Sequence, residues 1–237
     1  MSAVYDFSKK VVFITGGTGA LGRTLVKRFV DSGAMCISSY LNDDAAKKLK
    51  AAHPSVEIIK LDTSSEEQIP NIVSMITKKF GTIDVLVNVV GGYLGGKDIT
   101  QLGEQEWDNM MNLNLKSAFL ISKHVIPVMK SSNGGKIVHV SSRSGLISDG
   151  YDSAYAASKA ALVRFVESTS LEFKEYDINI NCILPSIIDT ISNRKTMPNA
   201  DFTRWISTDD LANVILFLCT SDSKVINGAA IPTYGLS

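Results

Sequence analysis

The run Lys10–Thr15 (KVVFIT) is short, apolar and β-branched, and it ends directly in glycine. The next stretch, Gly17-Thr18-Gly19-Ala20-Leu21-Gly22, has the spacing G-x-G-x-x-G, and Ala20–Ser32 carries the pattern of a helix. A strand that turns on glycines into a helix is the opening unit of a nucleotide-binding α/β fold. Glycines let the backbone turn tightly and approach a pyrophosphate. The helix N-terminus adds unpaired N–H groups and a partial positive charge. Gly16, Gly17, Thr18, Gly19, Leu21 and Gly22 are therefore the expected contacts of a dinucleotide; a glycine-rich turn that binds nothing is the plainer alternative.

The remaining chain keeps alternating. Strands are predicted at Met35–Ser39, Val56–Leu61, Ile83–Asn88, Lys136–Val140, Ile178–Ile183 and Ala229–Pro232. Helices are predicted at Asp43–Ala52, Glu66–Phe80, Glu106–Met129, Ala154–Tyr176 and Asp209–Thr220. Thr63-Ser64-Ser65-Glu66 has the spacing of a capping box. With right-handed crossovers, this order predicts an α/β fold: a doubly wound, mostly parallel seven-stranded sheet (Rossmann fold) with helices on both faces. No repeat or linker interrupts it, so one domain is expected over residues 1–237.

Composition narrows the partners. Basic and acidic side chains balance at 24 each, which gives no electrostatic reason to expect nucleic acid or an anionic membrane. No apolar run approaches the roughly 20 residues of a membrane span, and Met1–Lys10 does not read as a signal peptide. Cys36, Cys182 and Cys219 are odd in number and far apart, as expected for buried thiols in a reducing cytoplasm. His53, His124 and His139 are equally scattered, so no metal site is expected.

The second strand decides the cofactor. An NAD site often has an acid at its end, but here the segment reads Ser38-Ser39-Tyr40-Leu41-Asn42. Tyr40 takes the acid's place, with Leu41 beside it, while Asp43 and Asp44 are expected to cap the next helix. Losing the carboxylate removes a repulsion against a 2′-phosphate. The cofactor is NADP(H) or NAD(H), with the balance toward NADP(H).

Chemistry is suggested by Tyr155-Ala156-Ala157-Ser158-Lys159, whose spacing of four puts Tyr155 and Lys159 on one helix face. Ser142 lies 13 residues before Tyr155, just past a predicted strand, and Asn114 lies in the preceding long helix. Reducing a carbonyl needs a proton on oxygen as well as a hydride on carbon. A tyrosine can give that proton once its pKa of about 10 is lowered, and a neighbouring ammonium does this by favouring the phenolate. Ser142 can hold the substrate oxygen where charge develops. Singly, each has a bland reading: a chance Tyr–Lys pair, a polar serine loop, a helix-interior amide.

Taken in order, Thr15 to Gly22, Asp62, Asn88 with Gly91, Asn114, Ser142, Tyr155 with Lys159, and Pro185 through Thr190 resemble the short-chain dehydrogenase/reductase family over essentially the whole chain. The resemblance implies Tyr155 as general acid/base, and Lys159 as its helper and a contact of the nicotinamide ribose. It implies Ser142 as substrate-orienting and Asn114 as part of a water-linked proton relay. Asp62 and Thr63 would meet the adenine end, Asn88 to Gly91 the adenosine ribose, and Pro185, Ile188 and Thr190 the nicotinamide. It also implies a homodimer or homotetramer built on the long helices. Three positions depart from the family pattern: Ala20 in the loop, Val89-Val90 before Gly91, and Ser186 after Pro185.

Two segments, Gly91–Gly96 and Asp189–Trp205, are similar to the dihydropteridine reductase branch. Tyr93 could stack on a flat pterin. Tyr93, Ser142, Ser144, Tyr151, Tyr155, Met197 and Trp205 are the expected contacts of a small-molecule substrate, with a lid over about 186–207. Arg143 and Arg194 could meet an acidic substrate. The leading expectation is carbonyl–alcohol interconversion. The alternatives are quinonoid-pterin reduction and a catalytically silent nucleotide-binding regulator.

Overall fold

All seven expected strands form in a computed structural model of the protein, which describes residues 5–236. Residues 1–4, part of the polar N-terminal stretch, and Ser237 lie outside the described residues. The strands are β1 Val11–Thr15, β2 Met35–Tyr40, β3 Glu57–Lys60, β4 Val85–Asn88, β5 Gly135–Val140, β6 Ile178–Pro185 and β7 Ala230–Thr233. They join in one sheet in the order β3-β2-β1-β4-β5-β6-β7, and every pairing is parallel. The helices are α1 Ala20–Asp31, α2 Asp43–Ala52, α3 Ile69–Phe80, α4 Glu104–Met111, α5 Ser117–Ser131, α6 Ser153–Phe173, α7 Ile191–Thr196 and α8 Thr208–Leu218. A π-helical segment, Asn112–Lys116, joins α4 to α5.

Helices cover both faces, so the central strands are apolar on both sides rather than alternating. Phe13, Leu86 and Ile137 pack with α3, α5 and α6 through Ile76, Ile121 and Val166. Their neighbours Ile14, Val87 and Val138 face the other way, onto Leu25 and Phe29 of α1 and Ile215 of α8. Among the described residues, no helix is long and apolar enough to cross a membrane. Cys36, Cys182 and Cys219 are buried and free, and burial pushes the Cys36 and Cys182 thiols up to about 12.

Four local expectations are corrected. The long helix over Glu106–Met129 is broken by the π segment at Asn112–Lys116. Helix α3 begins at Ile69, not Glu66, because Pro70 occupies its first turn, where a missing N–H costs nothing. The expected capping box does not form there; Glu66 instead meets Lys123 and His124 at 2.6 and 2.8 Å. Asn42 caps α2, its Oδ1 accepting from the Ala45 N–H at 2.8 Å, while Asp43 and Asp44 sit in the first turn. Helix α7 was not expected.

The sheet edge at β6–β7 is fastened by two amides, Asn181, which is buried, and Asn227, which is half-buried. Asn181 Oδ1 accepts from the Ala229 N–H and its Nδ2 donates to the Ile226 carbonyl, both at 2.9 Å. Asn227 Oδ1 accepts from the Ile180 N–H at 2.9 Å. Asn181→Ala removes two part-buried hydrogen bonds, at about 0.5–1.5 kcal/mol each. Its melting temperature is expected to fall by roughly 5–10 °C in calorimetry; an unchanged value would show that the amide does not hold this edge.

Candidate active site

Strand order reverses between β1 and β4, where Thr15 pairs in register with Asn88. In open α/β sheets the crevice beyond such a reversal is the place for a ligand. Here it is a cleft of about 450 Å³ lined by Gly16, Thr18, Gly19, Leu21 and Gly22, by Tyr40 and Leu41, by Asp62 and Thr63, and by Val89 to Gly91. Most of the expected nucleotide contacts are thus brought together.

Tyr155, Lys159, Pro185, Ile188 and Thr190 are not part of its lining, and neither are two contacts expected nearer the glycine loop, Gly17 and Asn88. A Cβ on Gly17 would lie 2.0 Å from the Ser38 Oγ, so that glycine lets α1 pack on β2 rather than facing a ligand. The Asn88 side chain is buried beneath the crevice in a polar row. It accepts from the Thr15 hydroxyl at 2.5 Å, and its amide donates to His139 Nδ1 at 3.2 Å. With Nδ1 accepting, His139 Nε2–H donates to Ser122 Oγ at 3.3 Å. Burial, with the charge of Lys159 nearby, holds His139 down to about 3, so it is neutral at ordinary pH. Sequence reading missed this row. Its one signal was that three neighbouring strands each carry a polar residue near the C-terminal end of an apolar run.

The residues present fit a dinucleotide. A Cβ on Gly19 would meet only the Gly16 carbonyl, at 3.3 Å, so the loop offers bare backbone to the cleft. The Asp62 carboxylate is bound by the Ser64 N–H and hydroxyl at 2.9 and 2.6 Å, which fixes the loop at that part of the cleft. No carboxylate stands at the end of β2, and no Lys or Arg lines the cleft among the described residues. Lys60, level with Tyr40 across the sheet, is paired with Asp43 at 2.8 Å.

The four expected catalytic residues gather at the cleft's mouth. Asn114 sits in the π segment, a local unwinding that recurs at functional sites. Its Oδ1 accepts from the Gly92 N–H at 2.9 Å, and its Nδ2 donates to the Gly92 carbonyl at 3.1 Å and to Ser158 Oγ at 3.0 Å. One buried amide therefore ties the loop after β4 to α6. Gly91 is required here: a Cβ would come within 2.9 Å of Asn114 Oδ1 and 3.1 Å of Lys159 Nζ.

Lys159 is 4% exposed, and its ammonium donates to the Val140 carbonyl at 2.9 Å. Burial brings it down to about 8, against a small opposing effect of Cys182. Its Nζ lies 5.9 Å from the Tyr155 ring centre. The Tyr155 phenol itself is raised, first by burial and then by the charges of Tyr93 and Asp152, with the Ser142 side chain pulling it back down. The expected lowering by Lys159 is thus not what governs the phenol in this geometry. Ser142 Oγ also accepts from the Ser144 N–H at 3.2 Å. Tyr93 packs edge-on against Tyr155 with ring centres 4.9 Å apart. Tyr151 is exposed on the loop before α6.

The segment expected to form a lid is held by its own contacts. Pro185 ends β6, and Ile188 bridges to Ile206. Thr190 caps α7 by accepting from the Asn193 N–H at 3.1 Å. Arg194 makes a two-pronged pair with Asp189 at 2.6 and 2.7 Å and covers Phe202, which touches Trp205. Arg143 is likewise paired, with Asp149 at 2.6 Å. Both arginines expected for an acidic substrate are thus already engaged. Among the described residues, no hydrogen bond or ring contact joins Met197 or Trp205 to the Tyr155 cluster.

The profile of the short chain dehydrogenase family matches residues 10–201. The chain belongs to that family. It is 30% identical over 234 residues to the 3-oxoacyl-(acyl-carrier-protein) reductase FabG of Thermotoga maritima, covering 94% of this chain and 95% of that protein. It is also 30% identical over 234 residues to the NAD-dependent glycerol dehydrogenase of Listeria innocua, covering 94% and 92%. The solved structure of ElxO with NADP bound superposes with a TM-score of 0.89 at 27% identity, covering 95% of this chain and 97% of that one. The protein is thus a short-chain dehydrogenase-type oxidoreductase, as the motifs implied.

A buried ammonium with a lowered pKa is held at a cost to stability. Replacing it by a neutral side chain of similar size, Lys159→Met, removes that cost. The variant is expected to be more stable than the parent by about 1–2 kcal/mol in urea at pH 7, while losing most activity. An unfolded lysine stays charged to about 10.5 and the folded one only to about 8, so the parent regains stability as pH rises between these values. The gap should therefore narrow over that range; a constant gap would place the folded pKa elsewhere.

Proposed function

We propose that the protein interconverts a carbonyl and an alcohol on a small-molecule substrate, using NADP(H) or NAD(H). The carrying observation is the convergence of Ser142, Tyr155 and Lys159 where the nucleotide-sized cleft ends, around a loop fixed by Asn114. The glycine loop would hold a nicotinamide dinucleotide, with Ile188 and Thr190 as the residues for its nicotinamide end, and the group would supply or accept the hydride. In reduction, the hydroxyls of Ser142 and Tyr155 hold the substrate oxygen, and Tyr155 gives it the proton. The phenolate left behind is favoured by the Lys159 ammonium, which Val140 keeps in place. Asn114 has its amide committed to Gly92 and Ser158, so it acts by positioning the loop. Oxidation runs the same transfers in reverse.

The absence of an acid at Tyr40 supports NADP(H), as does the NADP in the related ElxO structure; the Listeria relative is NAD-dependent by name. The apolar groove of about 650 Å³ between α5 and α6, with Phe119, Ile126, Phe165 and Phe173, supports a homodimer or homotetramer on that face. The buried, unpaired thiols suit a reducing cytoplasm.

Tyr155→Phe should lower kcat by about 10²–10⁴-fold with cofactor affinity nearly unchanged. Ser142→Ala should also cost activity heavily. Indifference to it would favour the quinonoid-pterin reading suggested by Gly91–Gly96 and Asp189–Trp205. Cofactor binding but no turnover of any carbonyl would favour a silent regulator. Titrations followed by Trp107 and Trp205 fluorescence should show NADPH binding at least tenfold tighter than NADH, about 1.4 kcal/mol; the reverse order would overturn the preference.

A further inference from the structure

Asp152 stands at the N-cap of α6, a position where aspartate is among the strongest caps, yet no first-turn N–H bonds to its side chain. The carboxylate is turned elsewhere. It is 7% exposed, and one oxygen accepts from Ser148 Oγ at 2.5 Å. Among the described residues, no other hydrogen bond reaches it, and no cation pairs with it; Arg143, the basic residue of this loop, is taken by Asp149.

Its surroundings are those of the reaction. It lies three residues before Tyr155, on the same face of the helix. Its charge is felt at both Tyr155 and Tyr93, whose rings meet 4.9 Å apart. The loop carrying Tyr93 is fastened to the residue before Asp152 by the Gly96 N–H donating to the Tyr151 carbonyl at 2.8 Å. Gly150 and Tyr151, with φ of 90° and 59°, both take left-handed backbone just ahead of it. A non-glycine residue there is strained, and such strain persists where a side chain must be aimed.

The other Asp152 oxygen takes no protein donor among the described residues and keeps contact with solvent, so it is open to a donor that a ligand carries. We propose that Asp152 is a specificity residue, accepting a hydrogen bond from a hydroxyl or ammonium group that the substrate carries close to its reacting carbonyl. This rests on the carbonyl–alcohol reading of the same site. A plain ketone offers that oxygen no donor, and a site that hydrogen-bonds such a group discriminates against analogues that lack it.

The test compares kcat/KM for hydroxyacetone, aminoacetone and 2-butanone, which keep the ketone and exchange a hydroxyl, an ammonium and a methyl beside it. The parent should prefer at least one donor-bearing ketone over 2-butanone by tenfold or more; which one it prefers separates a hydroxyl from an ammonium partner. Asp152→Ala should bring that ratio to within about threefold of one, while Ser148→Ala should keep it, since loop closure alone does not discriminate between the substrates. Asp152→Asn keeps the shape but loses the charge; it should lower the ratio at least fivefold, and it decides the matter if the alanine variant no longer binds cofactor. No preference in the parent, or a preference that survives loss of Asp152, overturns the inference while leaving the parent reading intact. If no carbonyl compound reacts with either cofactor, the parent reading fails and the inference with it.

Discussion

The carboxamide of Asn114 is the contact on which the site's geometry depends. Both halves of the group are used on one residue, Gly92, and its second amide hydrogen reaches Ser158. Three pieces of chain distant in sequence are thereby fixed: the loop after β4, the π segment and the helix bearing Tyr155 and Lys159. A regular α-helix through Asn112–Lys116 would rotate residue 114 out of this register, so the local unwinding is part of the arrangement. The glycine at 91 follows from it, because amide and ammonium together leave no room for a side chain.

The sheet gives this contact something rigid to act against. Thr15, Asn88 and His139 end three neighbouring strands with a row of satisfied hydrogen bonds, continued to Ser122 of α5. A neutral histidine is required for it, since it must accept on one side and donate on the other. Burial supplies that neutrality. The same burial holds Lys159 at a lowered pKa and Tyr155 at a raised one, so both remain protonated near neutrality with the ammonium 5.9 Å from the ring centre.

Much of this was legible in the sequence, for identifiable reasons. The central strands β1 and β4 are buried along their whole length, so they stand out as short apolar runs, VVFIT and VLVN. The Tyr–Lys spacing and the preceding serine could be read because their relation is local. What stayed hidden depends on tertiary contact. The π segment has no pattern distinct from α-helix. The capping-box spacing at Thr63–Glu66 was overridden by Pro70, and Glu66 was drawn to two basic residues of α5. Helix α7 is six residues of modest helix formers, and its clearest sign was the Thr190 cap. Asp152 looked like any aspartate before a helix; only the fold shows that it turns away from its cap.

The place of β6 in the sheet bears on how the chain is made. Every group assigned to the chemistry has been synthesised by Lys159, but β6 begins only at Ile178. It pairs with β5 along six residues, Gly135 to Val140. Until it emerges from the ribosome, Ile137, Val138 and Val140 end the sheet as an open apolar edge, the kind of surface that recruits strands from other chains. Copies that stall or terminate between Lys159 and Ile178 therefore carry a full set of reactive groups and an adhesive border. In such fragments the border of β5 that β6 covers in the full chain stays open.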